Sequence, residues 1–204
     1  MKHAIIFDID GTLIDSTYGD DRIYREAVVQ VLGDVRLRNT LGDYDPVTDS
    51  GILLQIFADN ALTADSQIIE AIRSTFFARL QAHIDDAGPF KALPGARSVI
   101  QRIAASDEHR LAFATGGWRR SAEMKLTSAG FTIGDAPLAT ADDAVSRPDI
   151  MRSALTRINE QCAPVTYYGD GPWDKRACEE LNWSFQAVGP DLGGLETFDG
   201  LFMN

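Results

Sequence analysis

The sequence predicts an α/β protein: a parallel β-sheet flanked by helices, with an all-helical segment inserted after the first strand. Three observations lead there. Four apolar, β-rich runs (residues 3–7, 111–114, 165–168 and 184–188) alternate with stretches of helical periodicity, the pattern of βα units. The first three runs are each followed by glycine and polar residues: Gly11-Thr12, Thr115-Gly116-Gly117 and Gly169-Asp170-Gly171. Residues 16 to about 90, by contrast, hold helical stretches and no strong strand candidate.

In chain order, the first strand is the most informative. Ile5-Ile6-Phe7 suits a strand buried on both faces, and it ends abruptly in Asp8 and Asp10 before Gly11 turns the chain. Two carboxylates at the carboxyl end of a buried parallel strand sit where open α/β sheets place their ligands. Like charges that close call for a cation between them or a shared proton, and a hard divalent ion, Mg²⁺ above all, is the natural partner. A carboxylate left facing a substrate has the makings of a nucleophile.

The inserted segment follows. Residues 22–32 place Ile23, Ala27, Val28 and Val31 on one side of a helix; residues 51–58 are helical as well; residues 66–83 carry the stripe Ile68, Ile69, Ile72, Phe76 and Leu80. Asp85-Asp86-Ala87-Gly88-Pro89 and Leu93-Pro94-Gly95 mark the return to the sheet, which divides the chain into a core of residues 1–15 and 91–204 and a helical insertion of residues 16–90. Within the core, residues 96–105 form a one-sided helix through Val99, Ile100 and Ile103. Residues 121–129 end at Gly130, residues 148–159 have a proline in their first turn, and residues 175–181 continue the alternation. The tail from Leu192 onward is expected to add a short edge strand.

Composition narrows the function. The 204 residues suffice for one core with a small appended unit, and the 45% hydrophobic content is ordinary for a globular chain. Nineteen basic side chains against 30 acidic ones give a net charge of −11, which argues against a nucleic-acid binder and against long-range attraction of phosphorylated substrates. Phosphate recognition must therefore be local. No apolar run approaches a membrane span, and Met1-Lys2-His3 leads straight into the first strand, so neither membrane insertion nor a signal peptide is expected. Cys162 and Cys178 fit no metal-ligand spacing and no disulfide framework, which suits two reduced thiols in a cytoplasmic protein. His3, His83 and His109 match no ligand spacing either.

The segment Phe7-Asp8-Ile9-Asp10-Gly11-Thr12-Leu13-Ile14-Asp15-Ser16 resembles the first motif of the haloacid dehalogenase-like hydrolases, most of which are phosphatases. The resemblance implies a Rossmann-like core with a helical cap, Mg²⁺ as cofactor, and a small phosphorylated metabolite as substrate. It makes Asp8 the nucleophile that attacks phosphorus and becomes an aspartyl-phosphate. It makes Asp10 the acid that protonates the leaving oxygen and later activates water, with its backbone carbonyl on the metal. Thr115-Gly116-Gly117 resembles the second motif, in which a hydroxyl and backbone N–H groups hold phosphate.

The third motif of the family is a lysine, usually before proline. Here Ser146-Arg147-Pro148-Asp149 departs from it. Arginine keeps its charge permanently and adds bidentate geometry, yet differs in reach. Arg147 either neutralises Asp8 and the phosphate or marks an impaired catalyst or an unusual substrate. Gly169-Asp170-Gly171-Pro172-Trp173-Asp174 resembles the fourth motif, with Asp170 as a direct Mg²⁺ ligand. Asp174 is then a ligand through water, an orienter of Arg147, or simply an acid favoured at a helix start. Pro46-Val47-Thr48-Asp49 resembles the substrate-specificity loop of phosphoglycolate phosphatase-like members, and serves equally well as a helix cap through Thr48 or Asp49. Trp118 and Arg119, just past the phosphate loop, either face the substrate or, for the tryptophan, fill the core.

An acid at Asp10 points to phosphatase over dehalogenase chemistry, because a halide leaving group needs no proton. The expected function is hydrolysis of a phosphate monoester by a monomer or homodimer. A phosphomutase of the β-phosphoglucomutase type and a non-catalytic Mg²⁺-binding relative are the alternatives. The cap is expected to open and close about hinges near residues 15–17 and 88–93.

Overall fold

A computed structural model describes residues 1–203. At its centre lies strand β1 (Lys2–Phe7), paired in parallel with β4 (His109–Ala114) on one side and β6 (Cys162–Gly169) on the other. Two short strands, β5 (Leu138–Ala139) and β7 (Ser184–Ala187), complete the order β5-β4-β1-β6-β7. Side chains of β1 alternate between two cores. Ile5 and Phe7 join Val99, Ile103, Leu126 and Phe198 on one face, and Ile6 joins Ala112, Ile150, Met151 and Tyr167 on the other. Each such buried Ile or Phe contributes about 1.5–3 kcal/mol of transfer free energy. These apolar faces are what fix the register and therefore the height at which Asp8 emerges.

The crossovers are helical, as parallel pairing requires. Helix α4 (Ala96–Ala104) precedes β4, α5 (Arg119–Ser128) leads to β5, α6 (Arg147–Arg157) leads to β6, and α7 (Pro172–Leu181) leads to β7. Because the chain runs outward through β4 and β5 and then returns to β6, the sheet reverses its winding beside β1. That reversal opens a crevice at the carboxyl ends of β1, β4 and β6.

The insertion begins and ends at a small ladder in which β2 (Ile14–Asp15) pairs antiparallel with β3 (Lys91–Ala92). Between them lie α1 (Thr17–Leu32), α2 (Asp49–Asp59) and α3 (Ser66–Ala87). Their apolar faces meet in a third cluster that includes Ile23, Val28, Ile56, Ile72 and Leu80. This cluster is not self-sufficient, because Trp118 and Ala141 from the sheet side complete it. The Trp118 ring lies 5.6 Å from Tyr24 and 5.8 Å from Phe76.

Several helices start earlier than periodicity predicts. Their first turns are set by caps and prolines, which periodicity does not register. The Thr48 hydroxyl caps α2 and the Ser146 hydroxyl caps α6, so Arg147 is the first residue of its helix rather than a loop residue. The two-residue β5 is too short to show any alternation. The expected edge strand after Leu192 is absent among the described residues. Only an isolated bridge joins Val188 to Leu195, because the chain turns back through a bond from Gly194 N to the Gly189 carbonyl and then buries Phe198 in the core. Among the described residues no helix is long and apolar enough to cross a membrane.

Candidate active site

The crevice is a cavity of about 730 Å³. Its walls come from the strand ends (Asp8, Asp10, Thr115, Gly116, Asp170), from Arg147 and Trp173 on the following helices, and from Asp20, Arg25, Thr48 and Asp49 of the insertion. The turn after β1 is what delivers the two acids. Gly11 adopts a φ of 73°, a conformation side chains disfavour, and the loop is closed by Ile14 N donating to the Ile9 carbonyl and Gly11 N donating to the Ile14 carbonyl.

Asp8 lies buried beside Arg147, whose Nη1 donates to its Oδ1 at 3.2 Å. Arg147 Nε lies 3.3 Å from Asp174 Oδ1, yet the two are not aligned for a hydrogen bond, and both atoms stay buried without a hydrogen-bond partner. A third bond runs from Arg147 Nη2 to the Val47 carbonyl of the insertion, at 3.3 Å. At 7% exposure, Arg147 is no surface residue. Thr115 is fully buried at the end of β4, and its hydroxyl accepts a bond from Gly117 N at 3.2 Å. Gly116 has no room for a side chain: a Cβ there would stand 2.9 Å from the Val47 carbonyl and 3.0 Å from Arg147 Nη2.

Oxygens of Asp8, Asp170 and Asp174 lie within 4.8 Å of one another, although these residues are far apart in sequence. The Asp10 carboxylate is not in this group. It turns toward Ser16, which donates to Oδ1, and toward Lys125, whose Nζ donates to Oδ2 at 2.7 Å. Of the four acids expected around a metal, the structure thus gathers three by their side chains, and the Asp10 carboxylate is not among them.

The insertion enters the site through the start of α2. Thr48 donates its hydroxyl to the Val145 carbonyl at 2.7 Å and accepts from Gly51 N at 3.1 Å, so it is committed to capping and docking. Asp49 N donates to the Gly116 carbonyl at 2.7 Å, and its Oδ2 accepts from Trp118 N at 2.8 Å. Trp118 is a core filler, and Arg119 lies at the surface against Asp142 and Asp143.

Two members of the site escaped the sequence reading. Lys125 is fully buried, and besides Asp10 it reaches Asp20 Oδ1 at 3.0 Å. Nothing in a helix rich in polar residues distinguishes a lysine turned inward from one facing water. Asp20 had only its closeness to the first motif to mark it.

The electrostatics follow from too few cations. Burial raises the Asp8 carboxyl well above its ordinary value, opposed by Arg147 and reinforced by the neighbouring acids. Burial also lifts Asp170 to about 7, Asp20 to about 6 and Asp49 to about 8, with nearby acids adding to each. One ammonium serves both Asp10 and Asp20 and has Asp49 close by, so it keeps its own charge without neutralising all three. Burial opposes the charge of Arg147, but Asp174 and Asp8 more than restore it.

A stability prediction follows. A carboxyl raised on folding holds its proton more tightly in the folded chain, so its stabilisation is complete below the unfolded value and is lost as pH rises toward the folded one. For Asp49 the window runs from near 4 to about 8, and a single such group contributes a slope of about 1.4 kcal/mol per pH unit within it. Asp49→Asn, whose amide oxygen can still accept from Trp118 N, should flatten the decline. Denaturant unfolding of metal-free protein at pH 5 and pH 7 should show the wild type losing about 2–3 kcal/mol more than the variant. Parallel losses would mean that Asp49 is ionised throughout.

The decisive observation is that residues 2–182 match the haloacid dehalogenase-like hydrolase family over nearly the whole chain. The chain belongs to that family. It is 25% identical over 179 residues to an uncharacterized protein in the fgs 3′ region of Lacticaseibacillus casei, covering 81% of this chain and 75% of that protein. Among solved structures, CbbY from Rhodobacter sphaeroides aligns with a TM-score of 0.71 at 20% identity, covering 100% of this chain and 92% of that one. That protein has been solved with phosphate and, as a variant, with xylulose 1,5-bisphosphate. β-Phosphoglucomutase from Clostridium difficile aligns with a TM-score of 0.72 at 16% identity, covering 93% and 85%. These likenesses show that the fold is shared: a parallel Rossmann-like sheet with flanking helices, built as a haloacid dehalogenase-like hydrolase builds it.

Proposed function

We propose that this hydrolase is a Mg²⁺-dependent phosphatase of a small phosphorylated metabolite, with residues 16–90 acting as a cap over a catalytic core of residues 1–15 and 91–204. One observation carries the reading: a buried carboxylate, Asp8, stands at the end of the central strand with a buried guanidinium 3.2 Å away and two further acids around it. The phosphate and sugar bisphosphate bound by CbbY support the substrate class. The donor set suits a hard cation. It is all oxygen, burial raises each of its carboxyls, with neighbouring acids adding at Asp8 and Asp170, and Asp174 Oδ1 is buried without a hydrogen-bond partner. Asp8, Asp170 and Asp174, with the Asp10 carbonyl, would hold Mg²⁺, which supplies charge neutralisation on the phosphoryl oxygens.

The chain's own groups do the rest. Thr115 and the Gly116 amide bind phosphoryl oxygens, and Arg147 adds a fixed positive charge beside the nucleophile. Asp8 attacks phosphorus and forms an acyl phosphate as Asp10 gives a proton to the departing ester oxygen. Asp10 then takes a proton from water, whose oxygen attacks phosphorus and frees Asp8 and inorganic phosphate. The α2 docking loop roofs the site and limits bulk water. Two free cysteines and the absence of a membrane-crossing helix among the described residues support a cytoplasmic setting.

The test is hydrolysis of an aryl phosphate with and without metal. EDTA should abolish release of the phenolate, and excess Mg²⁺ should restore it. Undiminished turnover in EDTA would overturn the proposal. Incubation with a hexose 1-phosphate separates hydrolysis from transfer, since a mutase yields the 6-phosphate in place of free phosphate.

A further inference from the structure

Asp49 carries an acid that its structural duties do not require. Its Oδ2 accepts from Trp118 N at 2.8 Å and its backbone N donates to the Gly116 carbonyl at 2.7 Å, which docks α2 against the loop after β4. An asparagine would make both bonds. Capping does not call for the carboxylate either, because the Thr48 hydroxyl accepts from Gly51 N at the start of α2. A helix start favours an acid, but an exposed one serves as well. Yet Asp49 is only 7% exposed, lines the same cavity as Asp8 and Thr115, and makes no hydrogen bond through Oδ1 among the described residues. A buried carboxyl oxygen without a partner is costly, and a ligand is one way to supply the partner.

The cations around it are already engaged. Arg147 faces Asp8 and Asp174, and Lys125 is committed to Asp10 and Asp20. Arg22 pairs with Glu26 at the surface. Arg25 gives Nε to Asp21 and Nη1 to the Arg38 carbonyl, and its Nη2 is too enclosed to meet a solute. Beyond Arg147, the insertion side of the cavity thus offers a leaving alcohol an unmatched buried carboxyl and, among the described residues, no unmatched cation.

We propose that the leaving alcohol carries a protonated amine and that Asp49 Oδ1 receives it, so that the substrate is a phosphate monoester of an amino alcohol. The proposal rests on the phosphatase reading and names its substrate class. Asp49 touches the loop assigned to the phosphoryl group, since its N donates to the carbonyl of Gly116, the residue whose amide binds phosphoryl oxygens. A short chain therefore suffices between the ester oxygen and the amine. An ammonium donates only and a carboxylate accepts only, so the two match without ambiguity. The ammonium also brings the positive charge this wall lacks. A carboxyl that burial raises to about 8 loses its proton as the ammonium docks. A carboxylate or second phosphate on the alcohol would find like charge there instead.

Esters matched in length and opposite in charge provide the test: phosphoethanolamine against phosphoglycolate, and 3-aminopropyl phosphate against its carboxylate counterpart. Asp8→Asn, which should bind without turning over, is titrated with each ester by calorimetry in saturating Mg²⁺. In at least one pair the amine should bind about 10- to 100-fold more tightly than the acid, the scale of a charge-assisted hydrogen bond. Adding Asp49→Asn, whose amide oxygen still accepts from Trp118 N, should erase that preference by loss of affinity for the amine. Wild-type kcat/KM on the same pairs should show the same order, and that comparison needs no variant to fold. No preference for the amine in either pair, or a preference that Asp49→Asn leaves unmoved, would overturn the subsite. Amine preference in binding with no phosphate released by the wild type would instead overturn the phosphatase reading and leave the subsite standing.

Discussion

Asp8→Asn is expected to abolish phosphate release, by on the order of 10⁵-fold, the scale on which loss of a covalent nucleophile is felt. The amide is nearly isosteric and keeps an oxygen that can accept from Arg147, so the geometry of the site should survive. What disappears is the anionic oxygen whose charge makes it a nucleophile toward phosphorus. Stability should move the other way. Burial and neighbouring acids hold the Asp8 carboxyl well above its ordinary value, so the folded state favours the neutral form that asparagine imitates. Stabilisation from a raised carboxyl is lost as pH rises, and the variant escapes that loss. Its metal-free unfolding midpoint near pH 8 should therefore be at least that of the wild type. Full turnover by the variant would end the nucleophile assignment, and a collapsed midpoint would show that the charge is structural.

Arg147→Met carries the second largest effect. It removes the guanidinium that faces both Asp8 and Asp174. A preorganised cation at developing phosphoryl charge is worth about 10²–10³ in kcat. Removing one member of a buried ion pair costs about 3–5 kcal/mol, because the remaining charge has no partner. Both losses should appear, in initial rates with saturating Mg²⁺ and in denaturant unfolding. Arg147→Lys separates charge from shape. It restores the residue usual at this position in the family but reaches less far and donates along different lines. Activity within about tenfold of the wild type would show that charge is what counts there. Activity well above the wild type would mark the arginine as a brake and favour the non-catalytic alternative.

Much of this architecture was legible in the sequence, and the reasons differ by element. Ile5-Ile6-Phe7 followed by Asp8 announced a buried strand with acids at its end, because apolar runs and charge breaks are local signals. The family resemblance extended that to Thr115, Arg147, Asp170 and Asp174; the fold lines one cavity with the first three and Asp8, and buries Asp174 beside them with an oxygen within 4.8 Å of those of Asp8 and Asp170. The failures share one cause, which is that inward and outward polar residues look alike in a sequence. Lys125 reads as an ordinary solvent-facing lysine until α5 is seen to turn it toward Asp10. Thr48 and Asp49 stand out in the sequence as a helix cap or a substrate loop, but only the docking of α2 on Gly116, Trp118 and Val145 reveals how their polar groups are engaged. The side-chain direction of Asp10, away from the acid cluster, depends on Ser16 and Lys125 and could not be read from spacing.

The indole of Trp118 carries a lesson for anyone hoping to exchange pieces among relatives. Its backbone belongs to the sheet-bearing part of the chain, yet its ring completes the apolar interior of the inserted helices, and Ser50 accepts its Nε1–H at 2.9 Å. The two halves are therefore not interchangeable parts joined by a pair of linkers. A chimera that grafts foreign helices between residues 15 and 91 inherits a large aromatic plug with no socket, and the excised helices, expressed alone, are left with an unfilled hole where that plug belongs. Any functional transplant must carry position 118 along with the segment it serves.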